Sequence, residues 1–287
     1  MQHELIHFVE CPRDAMQGWK PFIPTDVKVA YLNALLQVGF DTIDFGSFVS
    51  PAAIPQMADT ASVINRLDLT NTRSRLLAIV ANVRGAEQAS AFPQISCLGF
   101  PFSVSETFQQ RNTNSSIGES LIRVEKIQDI CVRSARQLVV YVSMGFGNPY
   151  GDPYNEDTVL NWVNKLAALG VKVISLADTV GLAEPEQVNK MVSYLVKTLP
   201  LIDTGVHLHS APTHWKEKVQ AALDGGCRRF DGALKGIGGC PMADDVLVGN
   251  LDTEKLVPYF KDRRIMPDLN QEGWKHSLRL AEEIFRM

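Results

Sequence analysis

Two histidines separated by one residue, His207 and His209, end a short apolar run in the last third of the chain. On a β-strand this spacing places both side chains on one face, because successive residues point to opposite faces. Two imidazoles that face the same way can bind a divalent metal ion if a carboxylate lies close by. The same spacing also arises by chance, with one histidine simply packed in a core, so the pair alone leaves both interpretations open.

The neighbouring residues Arg13 and Asp14 follow the first apolar run of the chain, and Asp44 lies near the end of the second. Either aspartate could complete a metal site with the histidines if the fold brings these segments together. Arg13 could stabilise negative charge that develops on an enolate or a carboxylate during a reaction. The alternative for Arg13 is a salt bridge, and the sequence does not choose between the two roles.

Short apolar runs rich in Val, Ile, Leu and Phe alternate with segments of helical periodicity along the chain. Such runs are typical of strands buried on both faces, and their alternation with helices predicts a parallel sheet. The predicted strands are residues 5–10, 40–45, 74–80, 95–100, 138–143, 171–176, 204–209 and 228–233. Helices are predicted at about 25–38, from Ser116 with a capping box to Glu119, at about 155–169 and 185–198, from Pro212, and after about 255.

Eight strand–helix units in 287 residues predict a (β/α)8 TIM barrel with extra C-terminal helices, in a single domain spanning residues 1–287. An open doubly wound sheet is the alternative. Functional groups of a (β/α)8 barrel lie at the C-terminal ends of its strands. The polar residues that should meet at this mouth are Arg13, Asp14, Asp44, Asp178, Thr179, His207 and His209, together with Lys235 and the glycine-rich segment 236–239 that leads to Cys240.

The composition, with 45% hydrophobic and 21% charged residues, is that of a globular protein. A net charge of −4, with both signs scattered, argues against a nucleic-acid partner, which would require a basic face. The five cysteines form no CxxC pair, which predicts a reduced, intracellular protein, and we expect it to be cytoplasmic. No long apolar run or signal peptide is found, so we expect no membrane partner.

Six segments carry motifs of one enzyme family. Residues 11–17 resemble G-P-R-D-G-L-Q, residues 47–57 resemble S-F-V-S-P…P-Q-M, residues 175–181 resemble S-L-G-D-T-I-G, and residues 206–209 resemble V-H-C-H. Residues 238–241 match an active-site loop, G-G-C-P, and residues 249–254 resemble G-N-L…E. Together these segments, which extend over about residues 5–260, resemble 3-hydroxy-3-methylglutaryl-CoA (HMG-CoA) lyase.

The resemblance implies cleavage of HMG-CoA to acetyl-CoA and acetoacetate, with an acyl-CoA substrate and a divalent metal ion, Mg²⁺ or Mn²⁺. We also expect a homodimer. The metal ligands implied are Asp14, His207, His209 and Asn250. The catalytic residues implied are Arg13, His207, Cys240, Asp44 and Glu254, and the expected substrate contacts are Arg13, Gln17, Asp178 and Thr179. Arg84, Arg111 and Lys235 are candidates for contacts to coenzyme A.

Four departures from the family pattern matter. Residues 210–213 replace D-T-Y-G, Asp44 replaces a glutamate, Ala15 replaces a glycine, and the stretch 240–250 is one residue longer. None of these changes removes an expected metal ligand, but the first and the last could alter the fit of the acyl group. Alternative functions are a homocitrate- or citramalate-type synthase, a small-substrate aldolase, and a barrel that binds a ligand without catalysis. The G-G-C-P segment favours the lyase over the synthases.

Overall fold

The structure is a computed structural model that describes residues 4–239 and 248–286. In this part of the chain, eight parallel strands form a closed barrel in sequence order, with β1 paired to both β2 and β8. Parallel neighbours require crossover connections, which the intervening helices supply. The strands are His7–Glu10 (β1), Thr42–Ser47 (β2), Arg75–Ile79 (β3), Ile95–Ser103 (β4), Gln137–Ser143 (β5), Val173–Asp178 (β6), Asp203–Leu208 (β7) and Arg229–Gly232 (β8). The predicted TIM barrel is therefore confirmed.

The helices cover the outside of the barrel, and two of them follow the last strand, which confirms the extra C-terminal helices. They are Pro12–Gln17 (α1), Thr25–Val38 (α2), Thr60–Ile64 (α3), Val83–Ser90 (α4), Glu106–Thr113 (α5), Ile117–Arg133 (α6), Glu156–Ala168 (α7), Pro185–Thr198 (α8), Trp215–Asp224 (α9), Thr253–Asp262 (α10) and Gln271–Ile284 (α11). Two short 3₁₀ turns, Pro55–Met57 and Leu234–Gly236, lie between them.

The sequence predicted two helix starts from a capping box or a proline, and one of them is confirmed. The predicted capping box of α6 is present, because the Ser116 hydroxyl accepts from the Glu119 amide at 3.2 Å and the Glu119 carboxylate accepts from the Ser116 amide at 2.8 Å. The predicted helix start at Pro212 is wrong, because the helix begins at Trp215. A turn closed by the His214 amide on the Ala211 carbonyl, at 3.0 Å, precedes it.

Alternate residues of the strands contribute to two separate apolar clusters. Leu76, Leu98 and Val140 belong to the large cluster between the barrel and its helices. Their neighbours Leu77, Cys97 and Val139 form a smaller cluster with Tyr141 and Val173 inside the barrel. The strands are thus buried on both faces, which is why their sequences are almost continuously apolar.

Helix α11 closes the barrel exterior next to β1 and β2 by packing on α2. Gly273 lies so close to α2 that a Cβ there would be 2.9 Å from the Gln37 carbonyl carbon, and Trp274 contacts Phe40 edge-on. Among residues 4–239 and 248–286, no helix combines the length and the apolar character needed to cross a bilayer.

Candidate active site

A cavity of about 400 Å³ opens at the C-terminal ends of the strands, where a TIM barrel is expected to carry its functional groups. The structure brings together eight of the residues that the sequence nominated. The cavity is lined by Arg13, Asp14, Gln17, Asp44, Thr179, His207 and His209, and on its other side by Arg111 and neighbouring residues of α5. The site therefore combines acidic, basic and imidazole groups in one enclosed space.

The short helix α1 turns the end of β1 towards the cavity. Pro12 occupies its first turn, where the missing amide hydrogen costs nothing and the fixed φ favours the helix. One helical turn then places Asp14 and Gln17 side by side, and the Gln17 amide donates to Asp14 Oδ1 at 2.8 Å. The sequence motif thus becomes a compact corner that supports the Asp14 carboxylate.

Arg13 lies between two buried carboxylates. Its Nε and Nη2 donate to Asp44 Oδ2 at 3.0 and 2.5 Å, and its Nη1 donates to Asp14 Oδ1 at 2.9 Å. Burial raises the pKa of Asp44 to about 6, with Arg13 opposing the rise. Burial acts in the same direction on Asp14, but Arg13, His207, His209 and the hydrogen bond from Asn250 together outweigh it and lower the pKa of Asp14 to about 2. Asp14 is therefore a carboxylate at neutral pH.

The two histidines direct one ring nitrogen each at a common point near Asp14. His207 Nε2 and His209 Nε2 are 3.2 Å apart, and a carboxylate oxygen of Asp14 completes a group whose ligand atoms all lie within 4.8 Å of one another. The other nitrogens are engaged, since His209 Nδ1 lies 2.8 Å from the Val248 carbonyl and His207 Nδ1 lies 3.1 Å from Asp231 Oδ2. A carbonyl only accepts, so His209 Nδ1 carries the hydrogen and its Nε2 carries a lone pair.

This donor set fits a divalent metal ion. Burial, and then the nearby His207, lower the pKa of His209 to about 4, so His209 is neutral at pH 7 and able to ligate. Each histidine holds its Nδ1 on an acceptor outside the group, which is the arrangement that orients metal-binding imidazoles. When His207 is neutral with its hydrogen on Nδ1, two lone pairs and a carboxylate face one another in a buried space. A cation between them would remove this repulsion.

Asn250 reaches the same point from the segment that follows the glycine-rich run. It forms an isolated β-bridge with His209, and its amide nitrogen donates to Asp14 Oδ2 at 2.6 Å and to the Ile237 carbonyl at 2.9 Å. Gly238 makes this approach possible, because its φ is +122° and a Cβ there would lie 2.2 Å from the Asn250 amide nitrogen. The glycine is therefore required by close packing on the candidate metal group.

Asp178, Glu254 and Lys235 lie away from the cavity. Asp178 turns to Lys218, whose Nζ lies 2.8 Å from Asp178 Oδ2 and also donates to the carbonyls of Gly181 and His209. Glu254 and Lys235 form an ion pair with each other at 3.4 Å. None of the three is among the described residues that line the cavity.

The remaining nominations are Arg84, Arg111 and Cys240. Arg84 is exposed on α4, whereas Arg111 lines the cavity and lies over the ring of Tyr150. Cys240 lies outside the described residues.

Sequence reasoning missed two polar residues at this centre, Asp231 and Tyr141. Asp231 lies on β8, is 2% exposed, and accepts from His207 Nδ1. Tyr141 lies on β5, lines the cavity and contacts the His207 ring edge-on. The signal for Asp231 was an acid inside an apolar strand that is buried on both faces, a position that only a specific partner makes favourable.

Comparisons with known proteins agree with this geometry. A family model described as HMGL-like matches residues 6–280. The cytoplasmic HMG-CoA lyase of Rattus norvegicus is 34% identical over 88% of this chain and 74% of its own length. The mitochondrial enzyme of Gallus gallus is 32% identical over 86% of this chain and 82% of its own length.

Solved structures give the same result. An HMG-CoA lyase from Acinetobacter baumannii in complex with coenzyme A and 3-methylmalate has a TM-score of 0.89 and 31% identity, covering 98% of this chain and 91% of that one. The lyase of Brucella melitensis has a TM-score of 0.91 and 28% identity, covering 99% and 100% of the two chains. A family model that spans nearly the whole chain, together with these relatives, places the chain in the HMGL-like family.

Proposed function

We propose that this protein is a metal-dependent carbon–carbon lyase that cleaves HMG-CoA to acetyl-CoA and acetoacetate. The observation that carries the proposal is the convergence of Asp14, His207 and His209 on one point beside Arg13, at the base of a cavity large enough for an acyl group. The relatives named above are HMG-CoA lyases, which favours this reaction over the synthase alternative.

Asp14, His207, His209 and Asn250 would hold the divalent ion, which we propose to be Mg²⁺ or Mn²⁺. When bound, such an ion acidifies a hydroxyl group and orients the substrate that carries it. Asp231 keeps the Nδ1 hydrogen of His207 in place, and the Val248 carbonyl does the same for His209. The protein thus presents both Nε2 atoms as ligands.

The reaction breaks the bond between the carbon that bears the tertiary hydroxyl and the carbon next to the thioester. The hydroxyl loses its proton, its carbon becomes the ketone of acetoacetate, and the bonding electron pair passes to the thioester as an enolate. Protonation of that enolate carbon gives acetyl-CoA. Catalysis therefore requires a group that stabilises the enolate and groups that move two protons.

Arg13 is the group we assign to the enolate. A guanidinium has five N–H donors. In the described part of the chain, the Nε hydrogen and one Nη2 hydrogen are donated to Asp44, and one Nη1 hydrogen is donated to Asp14. One N–H remains on each terminal nitrogen, at the wall of the cavity. Asp44 fixes the plane of the guanidinium, so the remaining donors are oriented before the substrate binds.

Proton transfer is assigned to His207, to Cys240, or to a water molecule between them. Gln17 and Thr179 line the cavity and are proposed to contact the acyl group. Asp178 would act indirectly, through Lys218, which also donates to the His209 carbonyl. Glu254 would act indirectly through its ion pair with Lys235. Arg111, on the far side of the cavity, is the best placed of the three candidates for contacts to coenzyme A.

A homodimer and a cytoplasmic location are also proposed. Support for the location comes from the described cysteines Cys11, Cys97, Cys131 and Cys227, which are all free thiols, as expected in a reducing compartment.

A panel of acyl-CoA thioesters, incubated with the purified protein with and without a chelator, tests the proposed function. We expect cleavage of HMG-CoA that stops on chelation and returns with Mg²⁺ or Mn²⁺. Asp14→Ala should lose bound metal and turnover together. Cleavage that is insensitive to the chelator, or a variant that keeps a full metal complement, would overturn the assignment of the metal ligands.

A further inference from the structure

A second group of potential metal ligands lies on the inner side of His207. The Sγ of Cys11, a ring nitrogen of His207 and a carboxylate oxygen of Asp231 all lie within 4.8 Å of one another. Cys11 follows β1, Asp231 lies on β8, and His207 lies on β7, so three adjacent strands of the barrel supply the group. Cys11 is 1% exposed and Asp231 2%, so both lie deeper in the barrel than His207, which lines the cavity. Cys11 replaces the first glycine of the G-P-R-D-G-L-Q motif, so the thiol is not part of that family motif.

Two members of this group have unused binding capacity. Asp231 Oδ2 accepts from His207, but Asp231 Oδ1 is buried with no hydrogen-bond partner among the described residues. A buried carboxylate oxygen in this state is unfavourable unless water or a cation satisfies it. The Cys11 thiol is only weakly held, since its one hydrogen bond within the described part of the chain, to the Val9 carbonyl, is 3.8 Å long.

We propose that Cys11, His207 and Asp231 form a second metal site, which takes a thiophilic divalent ion such as Zn²⁺ or Cd²⁺. Sulfur ligands select such ions, whereas Mg²⁺ and Mn²⁺ prefer oxygen ligands. Binding releases the thiol proton of Cys11 to solvent and makes the thiolate a ligand. His207 then coordinates through Nδ1, and its single ring hydrogen moves from Nδ1 to Nε2.

This change at His207 makes the two sites mutually exclusive. The first group needs the lone pair of His207 Nε2, and the second group needs that of His207 Nδ1. A neutral imidazole offers only one lone pair at a time. An ion at the second site therefore removes a ligand from the first and inhibits the enzyme.

The charges around Cys11 favour a cation there. Burial, together with the carboxylates of Asp231, Asp44 and Asp14, raises the pKa of Cys11 well above its usual value. Without a metal, Cys11 is therefore a neutral thiol. The same carboxylates that disfavour an isolated thiolate attract a divalent ion, and the ion then stabilises the thiolate.

Titration of Cd²⁺ into the protein at saturating Mg²⁺ tests the proposal, with the ultraviolet sulfur-to-cadmium charge-transfer band as the readout. We expect a band that saturates at one thiolate per chain and is lost in Cys11→Ser. Cys97→Ser is the matched control, because Cys97 is also a barrel thiol, 1% exposed, but lies against Arg75. Cys240→Ser is a second control, for the cysteine that the resemblance nominates. Both controls should keep the band.

Cd²⁺ should also inhibit cleavage of HMG-CoA, each variant being compared with its own uninhibited rate. Even indirect partners of metal ligands are worth roughly 10–100-fold in affinity, so loss of the thiol should raise the inhibitory Cd²⁺ concentration by at least about tenfold. This second readout rests on the proposed function, whereas the absorption band does not.

Absence of the band in the parent protein would overturn the proposal without any variant. A band that survives in Cys11→Ser, or one that forms without inhibition of an active enzyme, would overturn it as well. Circular dichroism establishes that Cys11→Ser is folded, and Cys11→Ala serves as a second variant. A protein that shows the band but does not cleave HMG-CoA would refute the proposed function and leave the thiolate site standing.

Discussion

The substitution Arg13→Gln, combined with Asp44→Asn, separates a structural role of the guanidinium from a catalytic one. In the parent protein Arg13 donates to Asp44 through two nitrogens, and the two side chains are only 10% and 1% exposed. Arg13→Gln alone leaves the Asp44 carboxylate buried without its cation. Breaking a buried ion pair in this way typically costs about 3–5 kcal/mol of unfolding free energy.

The double variant should recover most of this stability, because it removes the unpaired charge together with its partner and both new side chains can still hydrogen-bond. Turnover should not recover. Neither amide supplies positive charge to the enolate, and loss of one such contact typically costs about 3–4 kcal/mol in the transition state, or roughly 10²–10³ in rate. Stability and activity should therefore separate in the double variant.

Urea unfolding at saturating Mg²⁺ measures the free energy of unfolding, and steady-state cleavage of HMG-CoA measures turnover. Asp44→Asn alone is the control for the lost carboxylate. If the double variant recovered both stability and turnover, Arg13 would be no more than the counter-ion of Asp44. The assignment of the enolate to Arg13 would then be wrong.

Three further substitutions test single features of the site and its support. Asp231→Asn removes the charged acceptor of the His207 Nδ1 hydrogen. Calorimetric titration should show Mn²⁺ binding weakened by roughly 10–100-fold. An unchanged affinity would contradict the role of Asp231. Gly238→Ala places a Cβ 2.2 Å from the Asn250 amide nitrogen and should lower metal content in a folded protein, whereas a full complement would refute the packing argument. Burial raises the pKa of Glu10 from 4.5 to about 8, so the folded protein keeps a proton that the unfolded chain releases, and parent stability should fall as pH rises through this window. Glu10→Gln should remove this pH dependence. In urea unfolding, its free energy of unfolding should exceed that of the parent by at most about 5 kcal/mol above pH ~8 and by little near pH ~5. An equal difference at both pH values would contradict the argument.

The fold could be predicted because its signals are local. Each strand is a short, nearly continuous apolar run, and the two-sided burial that produces such runs is a property of a closed parallel barrel. The bounds of α2 and α8 agree with the predicted ranges, since apolar periodicity and Pro185 mark them in the sequence. Pro212 misled because proline is favoured at the second position of a turn as well as at the start of a helix, and here it lies in the turn 211–214 that precedes the helix.

The candidate site could be predicted only in part, since motifs name residues but not their partners. Asp178 belongs to a motif, yet Lys218 on α9 engages it, and helical periodicity gives no sign of such a long-range ion pair. Asp231 carries no motif that the sequence analysis used, and its role follows from its position behind His207. These contacts depend on the closure of the barrel, which joins residues that are distant in the chain.

The most direct test of the proposed activity is product analysis after incubation of HMG-CoA with the Mg²⁺- or Mn²⁺-loaded protein. We predict that acetyl-CoA and acetoacetate appear in equal amounts, at the rate at which HMG-CoA disappears, and that neither forms with His209→Ala. Consumption of HMG-CoA with release of free coenzyme A and no acetoacetate would indicate thioester hydrolysis. That result, or no turnover by fully metal-loaded protein, would contradict the assignment as a carbon–carbon lyase.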